Sequence, residues 1–327
     1  MKYKKVAKIE EQISVIGIGC WNFGGDWDNS SDEKSTSIIH AAIDHGINLF
    51  DVAPVYGWYH AEEVLGNALK NGKRDKVLIA SKCGLRWNDQ HKTRNDLSYD
   101  SIIDEIEGTL RRLQTDHVDI YQLHWPDHNV PIEETVRALE KIKKEGKIRY
   151  IGLSNFSQKD VETFMSMIEI NEQQSLYNML ERNTDTYHGI PLEYKTEKEV
   201  IPMVRKHGQA LLPYSPLFQG LLAGKFTRDH MFSKSDIRNE NPKFAPEAFK
   251  PYFECYEQLR TYTDAEIGRP INEVAINWLR QIPEVTSIIG GASSLEQLKK
   301  NVESVEWDIT GEQMAKINEI IAPFENI

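Results

Sequence analysis

The stretch GINLFDVAPVYG (residues 46–57) holds an apolar run, Ile47-Asn48-Leu49-Phe50, that stops abruptly at Asp51, with Tyr56 five residues further on. A short, mostly apolar run bounded by Gly and Pro reads as a strand buried on both faces, the kind found in parallel sheets covered by helices. A polar residue at the exit of such a strand faces a cleft rather than a core. Asp51 is therefore a candidate site residue, and the fold depends on whether the rest of the chain repeats this unit.

It does. Strand-like runs at 15–17, 48–50, 77–81, 118–123, 150–152, 174–176, 210–212 and 286–289 alternate with amphipathic, charge-studded stretches. The helical stretches are 34–45, 60–70, 99–113, 132–145, 158–168, 195–207, 247–266, 271–281 and 294–304, and Ser98 and Ser157 stand where N-caps belong. Eight strands, each followed by a helix, predict a (β/α)8 TIM barrel over residues 1–327 as one domain, with an N-terminal β-hairpin at 5–15. Long loops at 84–97 and 217–246 follow the third and seventh strands, at the C-terminal rim where barrel sites are built.

Composition narrows the function. The chain has 327 residues, 40% of them hydrophobic, and a net charge of −11. Such a balance, without a lysine and arginine cluster, argues against nucleic acid as a partner. The start MKYKKVAKIEEQ has no apolar segment behind its basic residues and no run approaches a membrane span, so a cytoplasmic protein without a membrane partner is expected. Cys20, Cys83 and Cys255 are few and far apart, which predicts free thiols and no metal site.

In a barrel the residues at strand ends converge. The second strand ends in Asp51, the third in Lys82 and the fourth in His124, with Tyr56 on the loop after Asp51. Singly, each has an ordinary explanation: a turn cap, a solvated strand end, a core histidine, a rim tyrosine. Together they form a proton-transfer set. A tyrosine hydroxyl titrates near ~10 in water and needs nearby positive charge to protonate an alkoxide at neutral pH. Lys82 would supply that charge, Asp51 would hold the ammonium, His124 would orient a carbonyl oxygen, and Tyr56 would donate the proton.

The segments GINLFDVAPVYG…AEEVLGNAL, IASKCG, YQLHWPD, KIRYIGLSNFS and PYSPLFQGLLAGKF resemble, in order and spacing, the motif series of the aldo-keto reductases, NAD(P)(H)-dependent barrel oxidoreductases. The bacterial group with long rim loops and an SGLLAGK-type segment, here residues 219–225, is resembled most. The resemblance implies direct hydride transfer between a nicotinamide and an aldehyde, ketone, sugar or polyol, with Asp51, Tyr56, Lys82 and His124 as the catalytic tetrad. Some relatives of this barrel are cofactor-binding, redox-sensing regulatory subunits, which is the alternative reading.

No GxGxxG fingerprint opens a helix here, so a nicotinamide cofactor must be held another way. Ser154 and Asn155 end the fifth strand, Gln174 lies at the sixth, and their side chains suit a carboxamide. Tyr214 offers an aromatic face for stacking. Ser215, Pro216, Leu217, Gly220, Leu222, Gly224 and Lys225 form a Gly-rich apolar segment for a pyrophosphate. The resemblance adds Cys20, Trp21 and Asp51, and at the adenosine end Gly291, Ser293, Gln297 and Asn301. The basic residues that many relatives place at Gly291, Ser293 or Gln297 to pair with a 2′-phosphate are missing, so either NADP(H) or NAD(H) is expected. Lys299 and Lys300 lie off the helical face that carries Ser293, Gln297 and Asn301.

Around the mouth, Trp21, Tyr56, Trp58, Trp87, His124 and Trp125 form the expected pocket for a small carbonyl or sugar substrate. Arg86, Asp89, His91, Arg94 and Arg238 put charge on the long loops, which would fit a phosphorylated aldose or be merely solvated. The sequence marks no oligomer interface.

Overall fold

A computed structural model describes residues 1–25, 31–232 and 236–325. Eight parallel strands follow one another around a barrel: Ile16–Gly19, Leu49–Asp51, Leu78–Cys83, Val118–Leu123, Ile148–Ser154, Glu172–Leu176, Ala210–Tyr214 and Ile288–Gly290. The eighth pairs with the first, Ile288 opposite Ile16, and a single parallel bridge from Leu211 to Val285 joins it to the seventh. The fold is the predicted TIM barrel.

The eighth strand sits slightly later than 286–289 because Thr286 and Ser287 give their N–H groups to the Leu211 carbonyl across the closing seam. The N-terminal hairpin is Tyr3–Val6 paired antiparallel with Ile9–Ser14, and it places Ile9 and Ile13 under the barrel floor.

Strand residues alternate in direction, so one set points to the barrel axis and the other to the surrounding helices. Leu49, Leu78, Ala80, Ile120, Tyr150, Ala210, Leu212 and Ile289 pack as one apolar cluster on the hairpin, while Phe50, Ile79, Tyr121, Ile151 and Leu211 join the larger cluster beneath the helices. Counting upward by twos from the inner cluster reaches Asp51, Lys82, Gln122, Ser154 and Tyr214, and the sixth strand opens on the buried Glu172. The axis therefore runs from an apolar floor to a polar top.

Helices begin and end for local reasons. Asp32–Asp44 starts at Ser31, whose hydroxyl accepts the Lys34 N–H at 3.3 Å, with Asp32 and Glu33 in the first turn. Ser157 likewise caps Gln158–Met165. Ser98 does not cap Tyr99–Leu113 as predicted: its hydroxyl donates to Asp96 Oδ1 at 2.6 Å instead. The predicted 195–207 helix opens as a π-turn at Thr196–Val200, and a helix that the sequence pattern does not announce, Gly311–Ile321, carries a full capping box from Thr310 and Gln313.

The long rim loops have structure of their own. Residues 84–97 form a hairpin, Leu85–Trp87 against Thr93–Asn95, and the described part of 217–246 winds through short 3₁₀ turns. A third rim excursion follows the sixth strand, where the sequence pattern predicts none: Thr186–Tyr187 pairs with Ile190–Pro191 across a His188-Gly189 turn with both residues at positive φ. Lys243 binds Glu181 Oε1 at 2.6 Å and Thr184 Oγ1 at 2.8 Å, tying the seventh-strand loop to the sixth-strand one through a buried ion pair. Among the described residues no helix is long and apolar enough to cross a membrane.

Candidate functional site

Asp51, Lys82 and His124 arrive at the top of three adjacent strands, and backbone bonds fix their heights. Cys20 N–H donates to Asp51 O at 2.8 Å and His124 N–H to Cys83 O at 2.9 Å. Tyr56 follows Asp51 on a turn whose close contact with the first rim turn requires two glycines. A Cβ on Gly57, which has φ +58°, would collide with the Gly24 carbonyl oxygen, and one on Gly24 would lie 2.6 Å from Gly57 N. That contact sets Tyr56 over the barrel mouth.

The four side chains meet. Lys82 Nζ, fully buried, donates to Asp51 Oδ2 at 2.6 Å and to Val52 O at 3.2 Å, and lies 5.3 Å from the centre of the Tyr56 ring. His124 stands edge-on to that ring with centroids 6.0 Å apart, and Trp21 is stacked on it, also at 6.0 Å. Gln174 adds an amide donor to Asp51 Oδ2 at 2.8 Å. A buried carboxylate is thus matched by one cation and a hydrogen bond.

Burial, followed by the Lys82 charge, holds His124 well below the usual imidazole range, so it is neutral and has an N–H to offer. Burial also pushes the Tyr56 hydroxyl well above its ordinary value, with Asp51 adding to the rise. Burial is the first cause of this rise, and the Lys82 ammonium sits against Asp51 at 2.6 Å. Tyr56 is a protonated phenol across the neutral range.

The predicted cofactor residues fall in three groups. At the strand ends, Asn155, at φ +67°, gives its amide N–H groups to His124 O and Ser154 Oγ, and its Oδ1 accepts from Tyr194 and Tyr214 hydroxyls at 3.0 and 2.8 Å. Tyr214 is therefore oriented by a residue two strands away. Cys20 is buried beside Asp51.

Next to these, Ser215, Phe218, Gln219, Gly220 and Gly224 all have positive φ. Gly220 N–H and Leu222 N–H close back on Leu217 O, forming a tight nest below Pro216, while Lys225 is exposed. At the far end, Ser293 gives N–H and hydroxyl to Gln297 Oε1, both at 2.9 Å, and Asn301 Nδ2 donates to Gly291 O at 3.2 Å.

This far segment has open space and an unsatisfied polar group. A Cβ on Gly291 would meet nothing within 4 Å, and Asn22, which donates to Ala292 O at 2.6 Å, leaves its Oδ1 buried without a partner. Lys300 pairs with Glu296 and Lys299 with Glu303 along the helix Leu295–Glu303, so neither turns toward Ser293.

The pocket residues separate. Trp21 packs on Tyr56, but Trp58 stacks on His91 at 4.1 Å and meets Trp87 edge-on at 5.3 Å, and Tyr59 joins Trp87 under the Arg112 guanidinium. Trp125 packs partly buried against the outer core. Sequence reasoning missed Tyr187 and His188. Tyr187 lies 5.1 Å from Tyr214, and His188 lies 6.5 Å from Trp21 and contacts Gln219. The Tyr-His-Gly turn signal at 187–189 is the feature that could have found them. Arg86 pairs with Asp104, Arg94 with Asp96, and Arg238 with Asp236 and the Gln219 carbonyl, so each loop arginine has an internal acceptor.

Comparison with known proteins shows the family. The sequence model for the Aldo/keto reductase family matches residues 15–322. Aldo-keto reductase YhdN of Bacillus subtilis (strain 168) is 36% identical over 98% of this chain and 94% of its own length. The NADH-specific methylglyoxal reductase of Escherichia coli (strain K12) is 30% identical over 99% and 100%. The glycerol dehydrogenase AKR11B4 of Gluconobacter oxydans superimposes with a TM-score of 0.87 at 33% identity, covering 98% of this chain and 95% of that one.

Proposed function

The chain belongs to the aldo/keto reductase family, and on that premise we propose that it interconverts a small aldehyde or ketone with its alcohol using NAD(P)(H), with Tyr56 as general acid and base. The observation that carries this reading is the buried Asp51–Lys82 pair, 2.6 Å long, lying against a tyrosine and a neutral histidine at the barrel mouth. The bound cofactor supplies or accepts the hydride. Everything else falls to this chain's side chains.

His124 donates a hydrogen bond to the carbonyl oxygen through the N–H of its neutral imidazole, which leaves proton donation to Tyr56. Tyr56 gives its proton to that oxygen as negative charge develops, and Lys82 stabilises the phenolate left behind, held in position by Asp51. In oxidation the same groups act in reverse. Trp21 and the Tyr187-His188 turn cover the reacting carbon from bulk water. With Arg86, Arg94 and Arg238 all paired, the reading favours an uncharged carbonyl, sugar or polyol over a phosphorylated one.

Ser154, Asn155 and Gln174 would hold the carboxamide, Tyr214 the ring face, the 215–225 nest the pyrophosphate, and Gly291, Ser293, Gln297 and Asn301 the adenosine. We infer NADH use at least as ready as NADPH use, since the lysines near Ser293 pair with glutamates and one relative is named NADH-specific. The chain is taken to act as one domain, residues 1–327.

The test is Tyr56→Phe, with NADH binding followed by tryptophan quenching and turnover followed on methylglyoxal. Turnover should fall by about 10²–10⁴-fold while NADH affinity stays nearly unchanged. A variant that keeps near-normal turnover removes Tyr56 from the acid role.

A further inference from the structure

One row of the barrel interior holds a second carboxyl that the tetrad does not use. Lys82, Gln122, Gly152 and Glu172 are successive ladder partners on strands three to six, so all four positions face the barrel interior. Glu172 is fully buried there. Its Oε2 accepts from Gln122 Nε2 at 2.9 Å, while its Oε1 and the Gln122 Oε1 are buried without any partner. The space is built for this pair: a Cβ on Gly152 would collide with Glu172 Oε2 and come within 2.8 Å of Gln122 Cγ.

The two interior carboxyls are treated differently. Asp51 Oδ2 has an ammonium at 2.6 Å and an amide at 2.8 Å, whereas Glu172 has one neutral amide and no cation bonded to it. A carboxylate without a cation in a dry interior is strongly disfavoured, and protonation is the usual escape. A proton on Oε1 also converts one orphan acceptor into a donor. Directed at Gln122 Oε1, it closes an acid–amide pair with two hydrogen bonds.

We propose that Glu172 is a positioning residue of the proposed proton-transfer site: a neutral carboxylic acid paired with Gln122 whose proton keeps a second negative charge away from Asp51 and Lys82. The inference rests on the reductase reading for its kinetic consequence, though not for the protonation itself.

Burial pushes the Glu172 carboxyl up to about 8, with the Gln122 bond acting downward, the Asp51 charge upward and the Lys82 charge downward. The other inward titratable groups on neighbouring strands are Asp51, Lys82, His124, Tyr214 and Tyr150, and the Tyr150 hydroxyl is bonded to Glu11 at the hairpin. Below that value Glu172 is uncharged and the Lys82 ammonium serves Asp51 and the phenol. Above it, the new carboxylate draws on the same ammonium and Tyr56 becomes a poorer acid.

The experiment compares the full-length protein with Glu172→Gln, which keeps the shape and fixes neutrality. One arm is the pH profile of kcat/KM for methylglyoxal with saturating NADH. The wild type should be about tenfold slower at pH 9 than at pH 7, and the variant should lack this limb. The other arm is the infrared difference between wild type and variant in the C=O stretch of a protonated carboxyl, which cancels the other buried acids Glu105 and Glu62 and should show a wild-type band at pH 7 that is lost above pH 8.

An alkaline limb that persists unchanged in Glu172→Gln, or a wild-type spectrum at pH 7 without the acid band that the variant lacks, overturns the proposal. A protein that shows the band but reduces no carbonyl refutes the reductase reading and the kinetic role together while leaving the neutral acid established.

Discussion

The two ends of the proposed cofactor path are built in opposite ways. At the barrel mouth, Asp51 and Lys82 are buried, bonded to each other and braced by Gln174 and Val52 O. At the far end, Gly291 and Ser293 are exposed, and Ser293 bonds to the Gln297 side chain. A buried ion pair tolerates no loss of one partner, since the remaining charge has no water to turn to. An exposed serine–glutamine contact can be replaced by solvent at almost no cost. The chemistry should therefore be brittle to substitution and the selectivity adjustable.

The harshest way to break the contrast is Lys82→Met. It leaves Asp51 as an uncompensated buried carboxylate, so stability should fall by about 3–5 kcal/mol and turnover by several orders of magnitude. Thermal melts and kcat read the two losses separately. Adding Asp51→Asn should recover most of the melting temperature and none of the turnover. Recovery of activity in the double variant would show that the pair is structural only.

Gly57→Ala tests the same end from the backbone. The new Cβ would collide with Gly24 O at a position of φ +58°, so the turn must shift and Tyr56 with it. A misplacement near ~1 Å is expected to lower kcat by roughly 100-fold. Cofactor affinity, read by tryptophan quenching, should change much less, because the proposed pyrophosphate and adenosine segments, 215–225 and 291–301, follow the seventh and eighth strands rather than the second. Equal losses in both would mean that the whole mouth, rather than Tyr56 alone, depends on this glycine.

How much of this was legible in the sequence follows the same division. Each strand end was a break in an apolar run, so the sequence pattern alone puts Asp51, Lys82 and His124 at the ends of neighbouring strands. The Glu172–Gln122 pair could not be found that way. Glu172, Gln173 and Gln174 are consecutive and polar, which reads as the loop before a strand, yet one faces Gln122, one Gln209 and one Asp51 inside the fold. Polar residues inside a barrel strand erase the apolar run by which buried strands are found.

The rim was hidden for another reason. Trp58 and Trp87 are visibly aromatic, but that they pack with His91 and Tyr59 in a cluster of their own depends on a hairpin between 85 and 95 that no short-range pattern announces. Lys243 and Glu181 lie 62 residues apart and meet only because two loops cross the same rim.

The mildest prediction concerns the far end. Ser293→Arg would place a guanidinium beside Gln297 at the start of the helix Leu295–Glu303, where Lys299 and Lys300 are held by Glu303 and Glu296. An exposed pair with a 2′-phosphate is worth at most about 1 kcal/mol, so NADPH should gain roughly fivefold over NADH in kcat/KM. The gain should shrink with added salt, as expected of a solvent-exposed contact. Turnover at saturating NADH should not move, because nothing at the mouth has changed. An unaltered NADPH to NADH ratio would mean that the adenosine lies elsewhere, whereas a loss of turnover would mean that the two ends are coupled and the contrast between them is false.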